Sequence, residues 1–156
     1  MKTCIALLSA LIFSVSAHSF ANEQDLTKFG EEYFKAYTQT QRPDATEQDI
    51  ENYLSFLTDD VGSQHFPNDM DDTRKPGNKA KMRKGMNYYR GGSSSYKAKL
   101  ESITTGKDVI VLKFKQSFEG FHKQLKKQVA FASEVVEVLE VENDKVSVIR
   151  IYAKSL

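Results

Sequence analysis

Residues 134–152 read EVVEVLEVENDKVSVIRIY. Apolar residues alternate on both sides of the polar tetrad Glu142-Asn143-Asp144-Lys145, and a period of two marks strands rather than helices. The runs 129–141 and 146–152 therefore form a hairpin, and a two-residue or a four-residue loop alike sets Val141 against Val146. That register gives one face Val135, Glu137, Leu139 and Val141 against Tyr152, Arg150, Val148 and Val146. The other face carries Glu134, Val136 and Val138 against Ala153, Ile151 and Ile149. Both faces are largely apolar, which predicts a strand pair covered on both sides.

The same period extends upstream to Ser93. Tyr96, Ala98 and Leu100 alternate with Lys97, Lys99 and Glu101, and Ile110, Leu112, Phe114 and Phe118 continue after Thr105-Gly106-Lys107. A three-residue turn there sets Leu100 against Leu112 and Ala98 against Phe114, with Lys99 and Lys113 on the solvent side. Before Ser93 the period becomes helical. Leu26, Phe29, Tyr33, Phe34 and Tyr37 form one apolar stripe, ended by Arg42-Pro43. Thr46 with Asp49 reads as a capping box for a second helix carrying Ile50, Tyr53, Leu54 and Leu57 inward. Residues 59–76, rich in Asp, Gly and Pro, read as a loop or short irregular strand. A third, basic helix spans about Lys79 to Tyr89 with Met82, Met86 and Tyr89 on its stripe and Gly91-Gly92 as its stop. Gly85 within it costs about 1 kcal/mol relative to alanine. Helices followed by a meander of strands make an α+β domain: N-terminal helices packed in a curved antiparallel sheet.

The chain has 156 residues, with 22 Lys plus Arg and 21 Asp plus Glu, which excludes a uniformly basic nucleic-acid binder and a highly charged disordered tail. Met1-Lys2, the apolar run Ile5 to Val15 and the small residues Ser19 and Ala21 spell a secretory signal peptide cleaved after Ala21. Residues 1–21 are thus expected to leave, and 22–156 to form one domain in the periplasm or outside the cell. The single cysteine, Cys4, leaves with the signal, so disulfides, thiolate metal sites and a cysteine nucleophile are excluded from the mature chain. No further apolar stretch is long enough for a membrane span. Charge is uneven: residues 22–72 hold 13 acids and 3 bases, whereas 73–99 hold 9 bases and no acid. Mutual neutralisation of these segments is the simplest reading.

The helix ending in Phe56-Leu57-Thr58-Asp59-Asp60-Val61, the following His65-Phe66-Pro67, the basic helix, the long hairpins and the closing Val148-Ile149-Arg150-Ile151-Tyr152 come in a familiar order. Over about residues 25–154 the chain resembles the nuclear transport factor 2-like superfamily, particularly its SnoaL-like branch. The resemblance implies a cystatin-like cone in which the sheet wraps the helices around a pocket. Members include isomerases, dehydratases, cyclases and hydrolases, alongside proteins that only bind or dimerise, so fold does not choose among these activities. A family dehydratase needs an aspartate after the first helix, for which Asp44 or Asp49 would serve, and a histidine opening the strand after the third. Here that strand opens Ser93-Ser94-Ser95-Tyr96. The base-orienting pair is missing, which counts against that chemistry.

Arg150, opposite Glu137 in the register above, is expected to receive a ligand carboxylate as a bidentate fork, or simply to form a cross-strand ion pair. Tyr33, Tyr89 and Tyr152 are the aromatic residues expected beside such a ligand. Glu134, flanked by Ala132 and Val136, and His65, near the implied mouth, are the candidate acid–base groups, since burial raises a carboxyl pKa and histidine titrates near neutrality. His122 reads as an ordinary turn residue. The aspartates of 59–72 lack calcium-loop spacing, and phosphate-loop, Ser-His-Asp and zinc-protease motifs are missing, so no metal or cofactor is expected. The leading expectation is an exported binding domain for a small apolar or anionic molecule. An isomerase or hydrolase using Glu134 or His65 as base is the first alternative. A homodimer formed through the sheet face is the second, with neither nucleic acid nor membrane as partner.

Overall fold

The computed structural model describes residues 23–156, so the predicted signal segment lies outside the described residues. Three helices, α1 (Glu23–Thr40), α2 (Glu47–Leu54) and α3 (Asn78–Tyr89), pack on five strands. The strands are β1 (Leu57–Phe66), β2 (Ser93–Gly106), β3 (Val109–His122), β4 (Lys127–Glu142) and β5 (Lys145–Ser155). They form one sheet in the order β1-β5-β4-β3-β2. Neighbours from β2 to β5 are antiparallel, and β1 joins the far edge parallel to β5. The fold is α+β, as the periodicity predicts.

Thr46 caps α2 through the expected box: its side chain accepts from the Asp49 N–H at 3.2 Å, and Asp49 accepts from the Thr46 N–H at 2.8 Å. The Thr46 hydroxyl, which donates to the Asp49 carboxylate at 2.6 Å, and then the Thr46 N–H hold that carboxyl below its usual pKa and commit it to the cap rather than to a pocket. One face of the sheet meets α1 and α2 around Leu26, Ile50, Leu54, Ile110, Leu139 and Ile149, all buried. By contrast no residue of α3 is fully buried. Helix α3 is instead tethered by ion pairs, Arg83 to Glu51 at 2.6 Å and Lys79 to Asp59 at 3.1 Å, so basic and acidic segments neutralise each other.

Three local expectations are corrected. Residues 57–66 form a full strand, because β5 supplies hydrogen-bonding partners from Gly62 to Phe66. A Cβ on Gly62 would lie 2.0 Å from the Asp72 carbonyl oxygen, so glycine is required where the following loop crosses the strand. The β2–β3 turn has two residues, with Gly106 opposite Val109, and a bulge at Glu101 then sets Leu100 against Phe114 and Ala98 against Gln116. Lys99 consequently opposes Lys115 rather than Lys113, still on the outer side, where Glu101 pairs with Lys115 at 2.8 Å.

The third correction is the largest. Val141 does pair with Val146, through a two-residue turn at Asn143-Asp144, both with positive φ. The next pair, however, is Glu140 with Val148, leaving Ser147 as an extra residue. Beyond that bulge every β5 side chain changes face relative to the unbulged register. Ile149 and Ile151 turn inward opposite Leu139 and Glu137, and Arg150 and Tyr152 turn outward opposite Val138 and Val136.

Candidate functional site

The inward side of β4 and β3 places side chains in rows that run from the closed end of the cone to its mouth. Ile110 with Leu139 comes first, then Leu112 with Glu137, Phe114 with Val135, Gln116 with Ser133, and Phe118 with Phe131. Glu137 is 1% exposed. The Tyr33 hydroxyl donates to its Oε1 at 2.7 Å and lies 3.1 Å from the Tyr53 hydroxyl. Two rows nearer the mouth, Tyr96 donates to Gln116 at 3.0 Å, and Gln116 donates to Ser133 at 3.3 Å. Burial pushes the Glu137 carboxyl up to about 7, partly offset by the Tyr33 hydrogen bond. Burial first, then the Glu137 charge, raises Tyr33 and Tyr53, so these phenols stay neutral donors. The polar cluster is enclosed by Tyr33, Tyr53, Leu112 and Leu139, all buried, and its carboxyl faces packed protein rather than a hollow.

The hollow lies at the mouth. A cleft of about 540 Å³ opens between the end of α1, the second half of α3 and the β3–β4 hairpin. Phe118 and Phe131 form one wall, stacked at 5.2 Å with rings 14° from parallel, and Met82, Met86 and Tyr89 of α3 contribute another side. The hairpin is held beside α3 by main-chain and side-chain bonds. Phe121 N–H donates to the Gly92 carbonyl at 2.8 Å, and Lys123 Nζ donates to the carbonyls of Tyr88 and Arg90. A Cβ on Gly120 would lie 2.2 Å from the Gly92 oxygen, so this approach needs glycine. His122 stacks edge-on against Tyr89 at 5.7 Å and accepts the Leu125 N–H on Nδ1.

The residues singled out from sequence separate widely in space. Tyr89 and His65 line the cleft. Crowding by surrounding atoms lowers the His65 pKa, outweighing the nearby Asp69 charge, so its ring is neutral at pH 7. His65 and Met82 also border a more polar groove of about 410 Å³ beside Asp69, Lys75 and Lys81. Tyr33 and Glu137 meet in the interior, behind the cleft. Arg150 does not meet Glu137: outside the cone it contacts Asp72 at 2.7 Å and Glu140 at 2.6 Å. Tyr152 lies on that same outer face against Phe66, ring centroids 5.9 Å apart. Glu134, expected as an acid–base group, projects from the outer face and approaches Lys113 at 3.5 Å. Sequence reading missed Phe131, His122 and Gly85 as cleft residues. The signal for Gly85 was present, since a glycine within a helix is costly.

Among the described residues no three His, Cys, Asp or Glu side chains converge as metal ligands, and no described helix is long and apolar enough to cross a membrane. No protein-family model and no curated protein sequence matches the chain, and the likeness is one of structure. A protein from Shewanella putrefaciens described as a SnoaL-like polyketide cyclase superposes with TM-score 0.62 at 16% identity, over 81% of this chain and 87% of that one. An NTF2-like protein from Anabaena variabilis gives TM-score 0.62 at 19% identity, over 86% and 94%. An LEH-like epoxide hydrolase from M. tuberculosis gives 0.59 at 13%, over 83% and 85%. With its helices held against a curved sheet in the same arrangement as these proteins, the chain has the nuclear transport factor 2-like fold, shared with SnoaL-like and ketosteroid isomerase-like proteins.

Proposed function

We propose that this chain is an exported binding domain that holds a small, largely apolar molecule in the mouth cleft. The observation that carries this reading is a 540 Å³ hollow walled by aromatic and methionine side chains, open in front of a filled core. That volume lies in the range of small-molecule sites, and methionines suit an adaptable wall. Binding is favoured over catalysis because, among the described residues, the one carboxyl with a strongly raised pKa, Glu137, is buried behind the cleft, while Glu134 is outside the cone. The acid–base alternative therefore retains only His65, whose ring borders the cleft.

Amide chemical shifts of residues 23–156, recorded while titrating the neutral probe 2-naphthalenemethanol, test the reading. Saturable changes concentrated on Met82–Gly92 and Phe118–Phe131 are expected. Changes confined to the outer sheet face, or no saturable binding of this alcohol or of its carboxylate and ammonium analogues, overturn it. That outer face supports a second property, self-association, because Val136 and Val138 stand half-exposed beside the exposed pair Phe66 and Tyr152. Export is tested by N-terminal sequencing of the protein recovered outside the cytoplasm, where a start at Asn22 is expected.

A further inference from the structure

Gly85 has no structural reason to be glycine. It lies inside α3, its φ is not in the left-handed region, and a Cβ built there meets nothing within 4 Å. The open space that a side chain would enter is the mouth cleft, which Gly85 lines. A helix that forgoes alanine at such a position leaves a flat patch between Met82 and Met86. On another side of the cleft the near-parallel Phe118–Phe131 pair presents a second flat surface, with Phe131 half exposed. Flat walls around a gap suit a planar ring system, which stacks on aromatic faces.

The charge around this gap is one-sided. Arg42 and Arg90 line the cleft, and none of the described residues lining it is Asp or Glu. Arg42 is already held by Asp44 at 2.9 Å, whereas Arg90 makes no ion pair with any described residue. Arg90 is also beside Lys123, whose ammonium reaches the Arg90 carbonyl. An unpaired guanidinium at the rim of an apolar slot matches a carboxylate on an otherwise apolar molecule.

We propose that the cleft selects a planar aromatic carboxylate whose ring system lies across Gly85 and whose acid group meets Arg90. This rests on the binding reading above and adds to it the ligand class and two specificity-determining positions.

Calorimetric titration of three probes of one shape tests it: 2-naphthoate, 2-naphthalenemethanol and 2-naphthylmethylammonium. The carboxylate is expected to bind about tenfold or more tighter than the alcohol, and the ammonium weakest. In Arg90→Glu the carboxylate should lose about tenfold in affinity while the alcohol stays within about twofold. Gly85→Leu should weaken both by about tenfold or more, because its side chain fills the slot, while its Tm stays at or above that of the parent. Gly85→Ala, which adds helix propensity and little volume, should raise Tm by about 2–5 °C. Equal binding of carboxylate and alcohol overturns the charge selection but leaves the binding domain standing. Unchanged affinity in Gly85→Leu overturns the placement of the ring. A well-folded protein that binds none of the three overturns the binding reading itself, and this inference with it.

Discussion

Glu137 is the residue on which the interior turns. Its carboxyl is raised from 4.5 to about 7 by burial, so between those values the folded chain holds a proton that the unfolded chain releases. The sign follows: this group's contribution is fully favourable below about pH 4.5 and is lost as pH rises towards 7, by an amount on the order of 3 kcal/mol. Glu137→Gln keeps an acceptor for Tyr33 and removes the titration. Urea-denaturation midpoints at pH 5 and pH 7.5 should therefore fall less across that interval in Glu137→Gln than in the parent. An identical pH dependence in the two proteins would show that Glu137 does not titrate in the folded state. Sequence pattern identified Glu137 as a charged residue on an apolar strand face, yet it assigned the wrong partner. Its hydrogen-bond donor, Tyr33, comes from α1, a hundred residues away in the chain.

At the scale of elements, one inserted residue decides which side chains of β5 face the core. Ser147 is that residue, and its hydroxyl donates to the Glu140 carbonyl at 3.2 Å. Deleting Ser147 removes the bulge and leaves Ile149 opposite Leu139, whereas inserting one residue between Val148 and Ile149 turns Ile149 and Ile151 towards solvent and drives Arg150 into the core. A loss of about 3 kcal/mol or more in unfolding free energy is expected of the insertion, enough to leave much of the chain unfolded at 37 °C by circular dichroism. An insertion variant as stable as its parent would mean that the strand is not read in this register. Strand β1 is the complementary case. Its Asp and Gly content resembles a loop because a parallel edge strand takes its order from β5, and composition does not reveal that partner. Helix α3 could be read from its period despite Gly85, and the glycine itself is explained by the space in front of it rather than by the helix.

At the scale of the molecule, the acidic first third and the basic middle segment neutralise each other through Arg83–Glu51, Lys79–Asp59 and Arg74–Asp60. Pairs this exposed contribute little each, so their role is to place α3 beside α2 and β1. The outer sheet face carries its own prediction: if it forms a homodimer, Val138→Lys should shift sedimentation from dimer to monomer without lowering Tm. A parent that sediments as a monomer at tens of micromolar would remove that property and leave the cleft untouched. The sequence by itself determined the fold class, the extent of most elements and the pairing of Val141 with Val146, because periodicity and turn chemistry act over a few neighbouring residues. Only the tertiary structure decided which face Arg150 occupies, that Glu137 is enclosed by tyrosines, and that the hollow opens at the mouth between α3 and the β3–β4 hairpin. A bulge is one residue among many in a strand, and a cavity is a relation between elements far apart in the chain; neither leaves a local pattern.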